Sequence, residues 1–156
     1  MTEHEQRLTI LSFEGPDKVG KSTLIREVNR AANYRFLCID RFTGSAWVYD
    51  KLSGRRDRTD SISMAEGELS KLENVDVLNV LLSCAPEVLR ERIRQEDEFS
   101  EARLEHLDQA LEYYREYAQE IARLPIIEID TTDKSVEDTV QEILSKVEAY
   151  EQSDNR

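Results

Sequence analysis

Cysteine and histidine are scarce in this sequence, and their placement excludes two classes of site. The two cysteines, Cys38 and Cys84, stand in separate apolar runs without a second cysteine or a histidine at ligand spacing. This argues against a disulfide framework and a zinc site, so both are predicted to be core thiols. The two histidines, His4 and His106, show no spacing typical of a catalytic triad or a metal site, and both are predicted at the surface.

Long apolar runs are also absent, since the longest cover only a few residues. A membrane span needs about 20 apolar residues, so no membrane partner is expected. The opening residues, MTEHEQR, lack the basic-then-apolar order of a signal peptide, which favours a cytoplasmic location. With 156 residues and 39% hydrophobic content, the chain is predicted to form one domain over residues 1–156.

Basic residues are fewer than acidic ones, which gives a formal net charge of −12. The excess of acidic residues is distributed unevenly along the chain. Residues 1–85 hold 13 acidic and 12 basic side chains, whereas residues 86–156 hold 20 acidic and 9 basic ones. The acidity therefore belongs to the second half. The first half stays compatible with an anionic ligand, because one lysine and three arginines fall within residues 51–58.

Short strand-like runs alternate with helical patterns along the chain. The runs are LTILSF at 8–13, FLCI at 36–39, VLNVLLS at 77–83 and IIEI at 126–129. Helical spacing covers 21–33, 45–52, 61–73, the stretch from Pro86, the stretch from Ser100 to Pro125, and the stretch from Ser135 to Tyr150. Strands separated by helices pair in parallel through right-handed crossovers. The pattern predicts an α/β fold with helices on both faces of a short, mainly parallel sheet.

The stretch GPDKVGKS, from Gly15 to Ser22, matches the phosphate-loop pattern of glycine, four residues, glycine, lysine and serine or threonine. It stands between the first strand and the first helix, where such a loop must lie. Backbone N–H groups would surround the phosphates of ATP, with Lys21 on the β- and γ-phosphates and Ser22 on Mg²⁺. The residues predicted to bind the nucleotide are Gly15, Asp17, Lys18, Val19, Gly20, Lys21, Ser22 and Thr23.

A carboxylate and a guanidinium follow the second strand. Asp40 ends the FLCI run, so we expect it at the carboxyl end of a strand, where ligands bind in open α/β sheets. There it would hold the Mg²⁺ shell or accept a proton from an attacking hydroxyl. The adjacent Arg41 would clamp an anionic phosphate with two hydrogen bonds.

These motifs resemble the thymidylate-kinase-like branch of P-loop nucleoside and nucleotide kinases. FEGPDKVGKST is similar to the opening motif of that family, and IDRFTGSAWVY to its DR-aromatic motif. VLLSCAPEVLRERIR resembles the strand and helix that enter the lid, and PIIEIDTTDKSVED the adenine-side loop. The resemblance implies a P-loop kinase three-layer sandwich. It also implies transfer of the γ-phosphoryl group of ATP, with Mg²⁺, to a nucleotide, foremost a deoxynucleoside monophosphate.

The resemblance implies roles for single residues as well. Asp17 would approach the acceptor's sugar and Arg41 the acceptor's phosphate. A lid arginine, Arg92 or Arg94, would bind the transferring phosphoryl group. The residues expected to contact the acceptor are Asp17, Arg41, Phe42, Ser45 and Tyr49. A second copy of the chain, in a homodimer, is a further expected partner.

One departure from the family concerns the acceptor's base. Members usually place another strand and helix before the DR motif, with an aromatic residue and an arginine that hold the base. Here about seven residues separate Ala32 from Asp40. The usual pyrimidine pocket is therefore missing or rebuilt from Phe42, Trp47 and Tyr49, unless these aromatics belong to the core, and thymidylate specificity does not carry over.

The short spacing from Lys21 to Asp40 is also similar to that of polynucleotide-kinase-like enzymes, in which an aspartate here deprotonates an acceptor hydroxyl. The acceptor would then be a hydroxyl of DNA, or of a hydroxymethylated base in DNA, near the loop that carries Arg55, Arg56 and Arg58. A third hypothesis is a regulatory ATPase without an acceptor. The sequence shows neither a base-recognition motif nor a glutamine or glutamate placed to position water.

Overall fold

The computed structural model describes residues 7–96 and 99–153, so His4 lies outside the described residues. The strands are β1 (Leu8–Glu14), β2 (Leu37–Asp40), β3 (Val75–Ser83) and β4 (Ile126–Asp130). The helices are α1 (Lys21–Ala31), α2 (Thr43–Leu52), α3 (Thr59–Leu69), α4 (Pro86–Arg94), α5 (Glu101–Glu116) and α6 (Val136–Glu151). A π-helical turn, Tyr117–Ile121, extends α5 toward β4.

The described strands form one parallel sheet in the order β2-β1-β3-β4. β1 is central, because Leu11 pairs with Cys38 of β2 on one side and with Leu78 of β3 on the other. Since all strands run in the same direction, their carboxyl ends meet at one edge of the sheet. That edge carries Glu14, Asp40, Ser83 and Asp130.

Helices cover both faces of the sheet. The larger apolar cluster joins the sheet to α1, α4, α6 and the first half of α5, and it includes Leu82 of β3. The smaller cluster joins the sheet to α2, α3 and α5 and includes Leu81. Successive residues of a strand point to opposite faces, so the two clusters lie on opposite faces. The prediction of an α/β three-layer fold around a short parallel sheet is confirmed.

Strand β2 forms an edge of the sheet, and residues on and next to it are exposed to solvent. Leu37 on that strand is 51% exposed, and Tyr34 just before it is 70% exposed. Cys84 is buried as predicted, but Cys38 is only half-buried and donates its thiol to Oδ1 of Asn29 at 3.3 Å. The prediction that Cys38 is a core thiol is wrong because no described strand lies beyond β2. Among residues 7–96 and 99–153, every helix is too short or too polar to cross a bilayer.

A buried polar network fastens the π-helical turn to the second face of the sheet. The hydroxyl of Tyr117 donates to Oε2 of Glu66 at 2.6 Å and accepts a hydrogen bond from the amide of Asn79 at 3.0 Å. The other oxygen of Glu66 accepts the backbone N–H groups of Arg123 at 2.9 Å and Leu124 at 3.1 Å. The network thus joins α3, α5 and β3 and fixes where the chain enters β4.

We expect Tyr117→Phe to destabilise the fold by about 1–3 kcal/mol, because it leaves the Asn79 amide and one oxygen of Glu66 buried without their partner. The free energy of unfolding in urea measures the effect. Tyr34→Phe is the matched control, since Tyr34 is 70% exposed. Equal stability of the two variants would show that the network does not hold the turn.

Candidate active site

The loop between β1 and α1 depends on two glycines. Gly15 has φ +151°, and a Cβ there would lie 2.7 Å from the carbonyl oxygen of Leu82. Gly20 has φ +95° and is the N-terminal cap residue of α1. No side chain caps this end of the helix, so its first N–H groups are available to an anion.

Of the residues between the two glycines, one is buried and anchors the loop, and others are exposed to solvent. Val19 is 3% exposed and packs into the larger apolar cluster. Lys18 has φ +69°, a conformation that costs energy for a residue with a Cβ and is found at binding sites. Asp17, Lys18 and Ser22 are exposed around the loop, and Thr23 is half-buried behind them.

Lys21 begins α1 and turns its ammonium group back into the loop. Its Nζ donates to the carbonyl oxygens of Gly15 at 3.1 Å and Pro16 at 3.2 Å. Burial, helped by the positive charge of Arg41, lowers the pKa of Lys21 to about 8. Both carbonyl partners are neutral, so an anion bound in the loop would stabilise the charged lysine and raise its pKa.

Asp40 and Ser22 offer exposed oxygen atoms beside the loop. Asp40 ends β2, and its negative charge partly offsets the lowering of the Lys21 pKa by burial, so the two groups are close. Ser22 is the second residue of α1. Carboxylate and hydroxyl oxygens are ligands that Mg²⁺ accepts in proteins. The pair therefore fits a magnesium site that phosphate oxygens would complete.

Arg41, Asp17 and Tyr49 form a hydrogen-bonded group next to the loop. Nη2 of Arg41 donates to Oδ1 of Asp17 at 2.5 Å, and the Tyr49 hydroxyl lies 3.5 Å from the same oxygen. The guanidinium lies over the Tyr49 ring, 5.0 Å from its centroid. Burial acts to raise the pKa of Asp17, but the hydrogen bond and charge of Arg41 bring it below its ordinary value. Both partners of this ion pair are therefore charged at neutral pH.

Sequence reasoning missed Glu14, which ends β1 directly before the loop and is fully buried. One carboxylate oxygen accepts the backbone N–H of Phe42 at 2.8 Å and the Ser12 hydroxyl at 3.1 Å. The other accepts the backbone N–H of Ser45 at 2.9 Å and also the Ser45 hydroxyl. Burial raises the pKa of Glu14, and these four hydrogen bonds oppose the shift. Glu14 could have been identified from the sequence, because it is a carboxylate at the end of an apolar strand, as Asp40 is.

The Glu14 carboxylate also serves as the cap of α2. Its N–H partners, Phe42 and Ser45, belong to the start of that helix, where a negative charge is favourable. Gly44 makes the approach possible, since a Cβ there would lie 2.8 Å from Tyr117 and 3.3 Å from the Glu14 carboxyl carbon. One buried group therefore holds the start of α2, which follows Arg41, to the end of β1.

The structure separates the residues expected on the acceptor into two groups. Tyr49 and the partly exposed Phe42 lie near Arg41, where a ligand can reach them. Ser45 is 4% exposed and hydrogen-bonds to Glu14 and Tyr114, so here it supports the site from within. Trp47 is 2% exposed in the smaller apolar cluster and donates to Thr59, which makes it a core residue. The interpretation of Trp47 as part of a rebuilt base pocket is wrong, because its ring packs against Tyr113 and Tyr117.

The two lid arginines also differ in position. Nη1 of Arg92 donates to the carbonyl oxygen of Lys18 at 2.6 Å, which brings α4 against the phosphate loop. Arg94 is exposed and lies 3.8 Å from Glu91 on its own helix. Behind them, Glu96 forms ion pairs with Lys18 of the loop and with Arg103 of α5. Helix α4 and the residues that follow it are therefore in direct contact with the phosphate loop.

The basic residues between α2 and α3 are partly neutralised. The carboxylate of Asp50 is 2.7 Å from Arg58 and 3.9 Å from Arg55. The ion pair lies at the opposite end of α2 from Phe42, a distance of about 15 Å for ten residues of helix.

A cavity of about 750 Å³ adjoins the phosphate loop at Pro16. Its floor includes Leu81 and Leu111, and its rim includes Asp130 and Lys134 from the segment after β4. That volume lies within the range of about 300–1,000 Å³ found for small-molecule sites. The cavity is large enough for a nucleoside.

Compared with protein-family models the sequence matches none, and it matches no curated protein. Solved structures share its architecture. A YorR protein from Bacillus subtilis, solved in complex with phosphorylated GDP, gives a TM-score of 0.66 at 20% identity and covers 92% of this chain and 98% of that chain. A thymidylate kinase from Candida albicans gives 0.56 at 14% identity, covering 92% of each chain. A gluconokinase from Sinorhizobium meliloti 1021 gives 0.53 at 20% identity over 94% of this chain and 95% of that chain. The chain therefore has the fold of the P-loop kinases, as its motifs predict.

Proposed function

We propose that the protein transfers the γ-phosphoryl group of ATP to a deoxynucleoside monophosphate. The observation that carries this proposal is the closeness of two cationic groups at the carboxyl edge of the sheet. Lys21 lies in the phosphate loop, and Arg41 lies near enough to add to the effect of burial on the Lys21 pKa. One group is placed for donor phosphates and the other for an acceptor phosphate. Phosphoryl transfer needs such positioning and charge neutralisation more than a covalent intermediate.

On the donor side, the backbone N–H groups of the loop and of the first turn of α1 bind the phosphates. Lys21 exchanges the carbonyl oxygens of Gly15 and Pro16 for phosphate oxygens and neutralises their charge. The base of ATP occupies the cavity that runs from Pro16 to Lys134, which includes the segment similar to an adenine-side loop. Ser22 and Asp40 hold Mg²⁺, which supplies electrostatic stabilisation of the phosphate charge.

On the acceptor side, Arg41 binds the monophosphate. Its hydrogen bond to Asp17 and its position over the Tyr49 ring hold the guanidinium at the mouth of the loop. Arginine suits this task because it forms two parallel hydrogen bonds to a phosphate. Asp17 then remains available for the hydroxyl groups of the acceptor's sugar. The neighbouring structures with phosphorylated GDP and of a thymidylate kinase are consistent with a nucleotide acceptor.

Arg92 and Arg94 act from the lid. Arg92 already touches the loop at the carbonyl oxygen of Lys18, so it is the better placed of the two to reach the transferring phosphoryl group. Closure of α4 over the loop would exclude water and limit wasteful hydrolysis of ATP.

A second candidate function is transfer to a hydroxyl group of DNA or of a hydroxymethylated base in DNA. The observation in its favour is Asp40, whose exposed carboxylate has no hydrogen-bond partner within the described ranges and is free to act as a base. Against it stands the basic loop, because Asp50 pairs with Arg55 and Arg58 and reduces its attraction for phosphates. We therefore rank the monophosphate first.

The first functional prediction concerns the pH dependence of ATP binding. Lys21 has a pKa of about 8 in the free protein, so its ammonium form is lost as pH rises through 8. Bound phosphates favour the charged form, so binding takes up a proton and the ATP Kd increases by up to about tenfold per pH unit above 8. Titration calorimetry at several pH values measures the affinity, and buffers of different ionisation enthalpy report the proton uptake.

Lys21→Arg is the matched control for that titration, because arginine stays charged across the whole range. Its ATP affinity is lower than that of the wild type, but it changes little with pH. A wild-type affinity that is constant from pH 7 to about 9.5 would contradict the role of Lys21 in phosphate binding.

The second functional prediction identifies the acceptor. Radiolabelled ATP is offered with dTMP, dCMP, dAMP and dGMP, with nucleosides, and with DNA that contains normal or hydroxymethylated bases. We expect label on at least one monophosphate, a higher acceptor KM for Arg41→Ala, and partial rescue of Asp40→Asn by Mg²⁺. A phosphate acceptor is already nucleophilic, so Asp40 is needed for the metal and not as a base.

The hydroxyl acceptor predicts a different result for the same variants. Asp40→Asn would then lose roughly 10²–10⁴-fold in kcat at any Mg²⁺ concentration, since a general base is removed. Transfer to DNA with a steep dependence on salt, and none to free monophosphates, would replace the first proposal by the second. Absence of transfer to every acceptor would contradict both.

A further inference from the structure

A small cavity separates the phosphate loop from α5. Asp17 and Tyr49 line one side, and the opposite side is formed by Arg103, His106 and their neighbours on α5. Its volume is about 40 Å³, which accommodates a few non-hydrogen atoms. The cavity lies on the acceptor side of the loop, since Asp17 is the partner of Arg41.

One face of α5 supplies this wall. The residues that line the cavity from α5 are Arg103, His106, Leu107 and Ala110. Their spacing of three and four residues places them on one side of the helix. Leu107 and Ala110 are buried and form an apolar floor with Ile93 of α4. His106 is exposed beside them, so its imidazole is on the rim.

A second observation places His106 near Asp17. Burial acts to raise the Asp17 pKa, Arg41 lowers it most strongly, and the charges of Lys21 and His106 add to that lowering. An electrostatic influence of this kind requires a short separation. The prediction that His106 lies at the surface is confirmed, and the structure adds Asp17 as its neighbour.

Arg103 is held on the same rim by Glu96. The Glu96 carboxylate pairs with Arg103 of α5 and with Lys18 of the phosphate loop. The first turn of α5 is thereby tied to the loop, and the distance across the cavity is fixed by an ion pair. The wall formed by α5 is therefore part of the same assembly as the loop.

The lining favours the hydroxyl-bearing edge of a sugar over a phosphate. Asp17 repels a phosphate but accepts hydrogen bonds from hydroxyl groups, and a volume of about 40 Å³ admits part of a sugar ring beside it. An imidazole and a guanidinium donate to hydroxyl and ring oxygens, while Ile93, Leu107 and Ala110 contact carbon atoms. We propose that His106 is an acceptor-binding residue that hydrogen-bonds the sugar of the acceptor, opposite Asp17. This inference rests on the proposed function.

The test compares His106→Ala with Glu105→Ala, a neighbouring exposed substitution on α5 outside the cavity lining. KM values for ATP and for dTMP, dCMP, dAMP and dGMP are measured for both variants and the wild type. We expect His106→Ala to raise the acceptor KM about tenfold, as loss of one hydrogen bond to a polar ligand predicts, with little change in the KM for ATP. Glu105→Ala behaves as the wild type. Circular dichroism confirms that both variants are folded.

Competitive inhibition by deoxyribose 5-phosphate shows which part of the acceptor His106 touches. If the contact is to the sugar, the inhibition constant rises in His106→Ala by the same factor as the acceptor KM. An unchanged inhibition constant with a raised KM would place His106 on the base and overturn the assignment. Wild-type acceptor KM values in His106→Ala would overturn this inference alone. Lack of turnover of all four monophosphates by the wild type would overturn the proposed function, and this inference with it.

Discussion

The hydrogen bonds around the buried carboxylate of Glu14 connect the two loops of the site. Glu14 ends β1, and its partners Phe42 and Ser45 begin α2, so residues 28 and 31 positions apart are joined inside the core. A buried carboxylate without partners would cost several kcal/mol, which the four donors around it offset. The interaction is therefore strongly directional: the start of α2 fits only where its N–H groups meet the carboxylate. Arg41, which directly precedes the cap residue of α2, takes its position from this constraint and from its backbone hydrogen bond to Phe13, whereas Asp40 is held by the pairing of β2 with β1.

The compactness of the chain shapes the acceptor side. β2 has four residues and ends the sheet, with Leu37 exposed and no described strand beyond it. The additional strand and helix that the resemblance implies before Asp40 have no room here, since about seven residues separate Ala32 from Asp40. Contacts to an acceptor must come from elements that are present: the start of α2, the phosphate loop and α5. Few elements are left to contact the acceptor, and α5 is one of them because it provides the wall opposite Asp17. The proposed role of His106 follows from this position.

Features with a local cause were predictable from the sequence. The central strands β1 and β3 are apolar runs because both of their faces are buried. The phosphate loop is recognised because backbone geometry requires glycine at Gly15 and Gly20. Asp40 was found because it follows a strand. Contacts between distant segments were not predictable. Nothing near Ser45 in the sequence shows that its hydroxyl serves Glu14, and the spacing of Trp47 fits a core position and a binding position equally well. The π-helical turn at Tyr117 depends on Glu66, which lies on another helix.

Glu14 holds the start of α2, and with it Arg41, next to the phosphate loop. The kinetics of Glu14→Gln, with Ser12→Ala as the matched variant, measure what this alignment contributes. The glutamine amide turns a donor toward the N–H groups of α2, whereas Ser12→Ala removes one of the four donors and leaves α2 in place. Circular dichroism first checks that both variants are folded. We then expect Glu14→Gln to lose more than about tenfold in kcat/KM for the acceptor, with a nearly unchanged Kd for ATP. Ser12→Ala stays close to the wild type. A folded Glu14→Gln protein with wild-type kcat/KM for the acceptor would show that Glu14 does not align Arg41 with the phosphate loop.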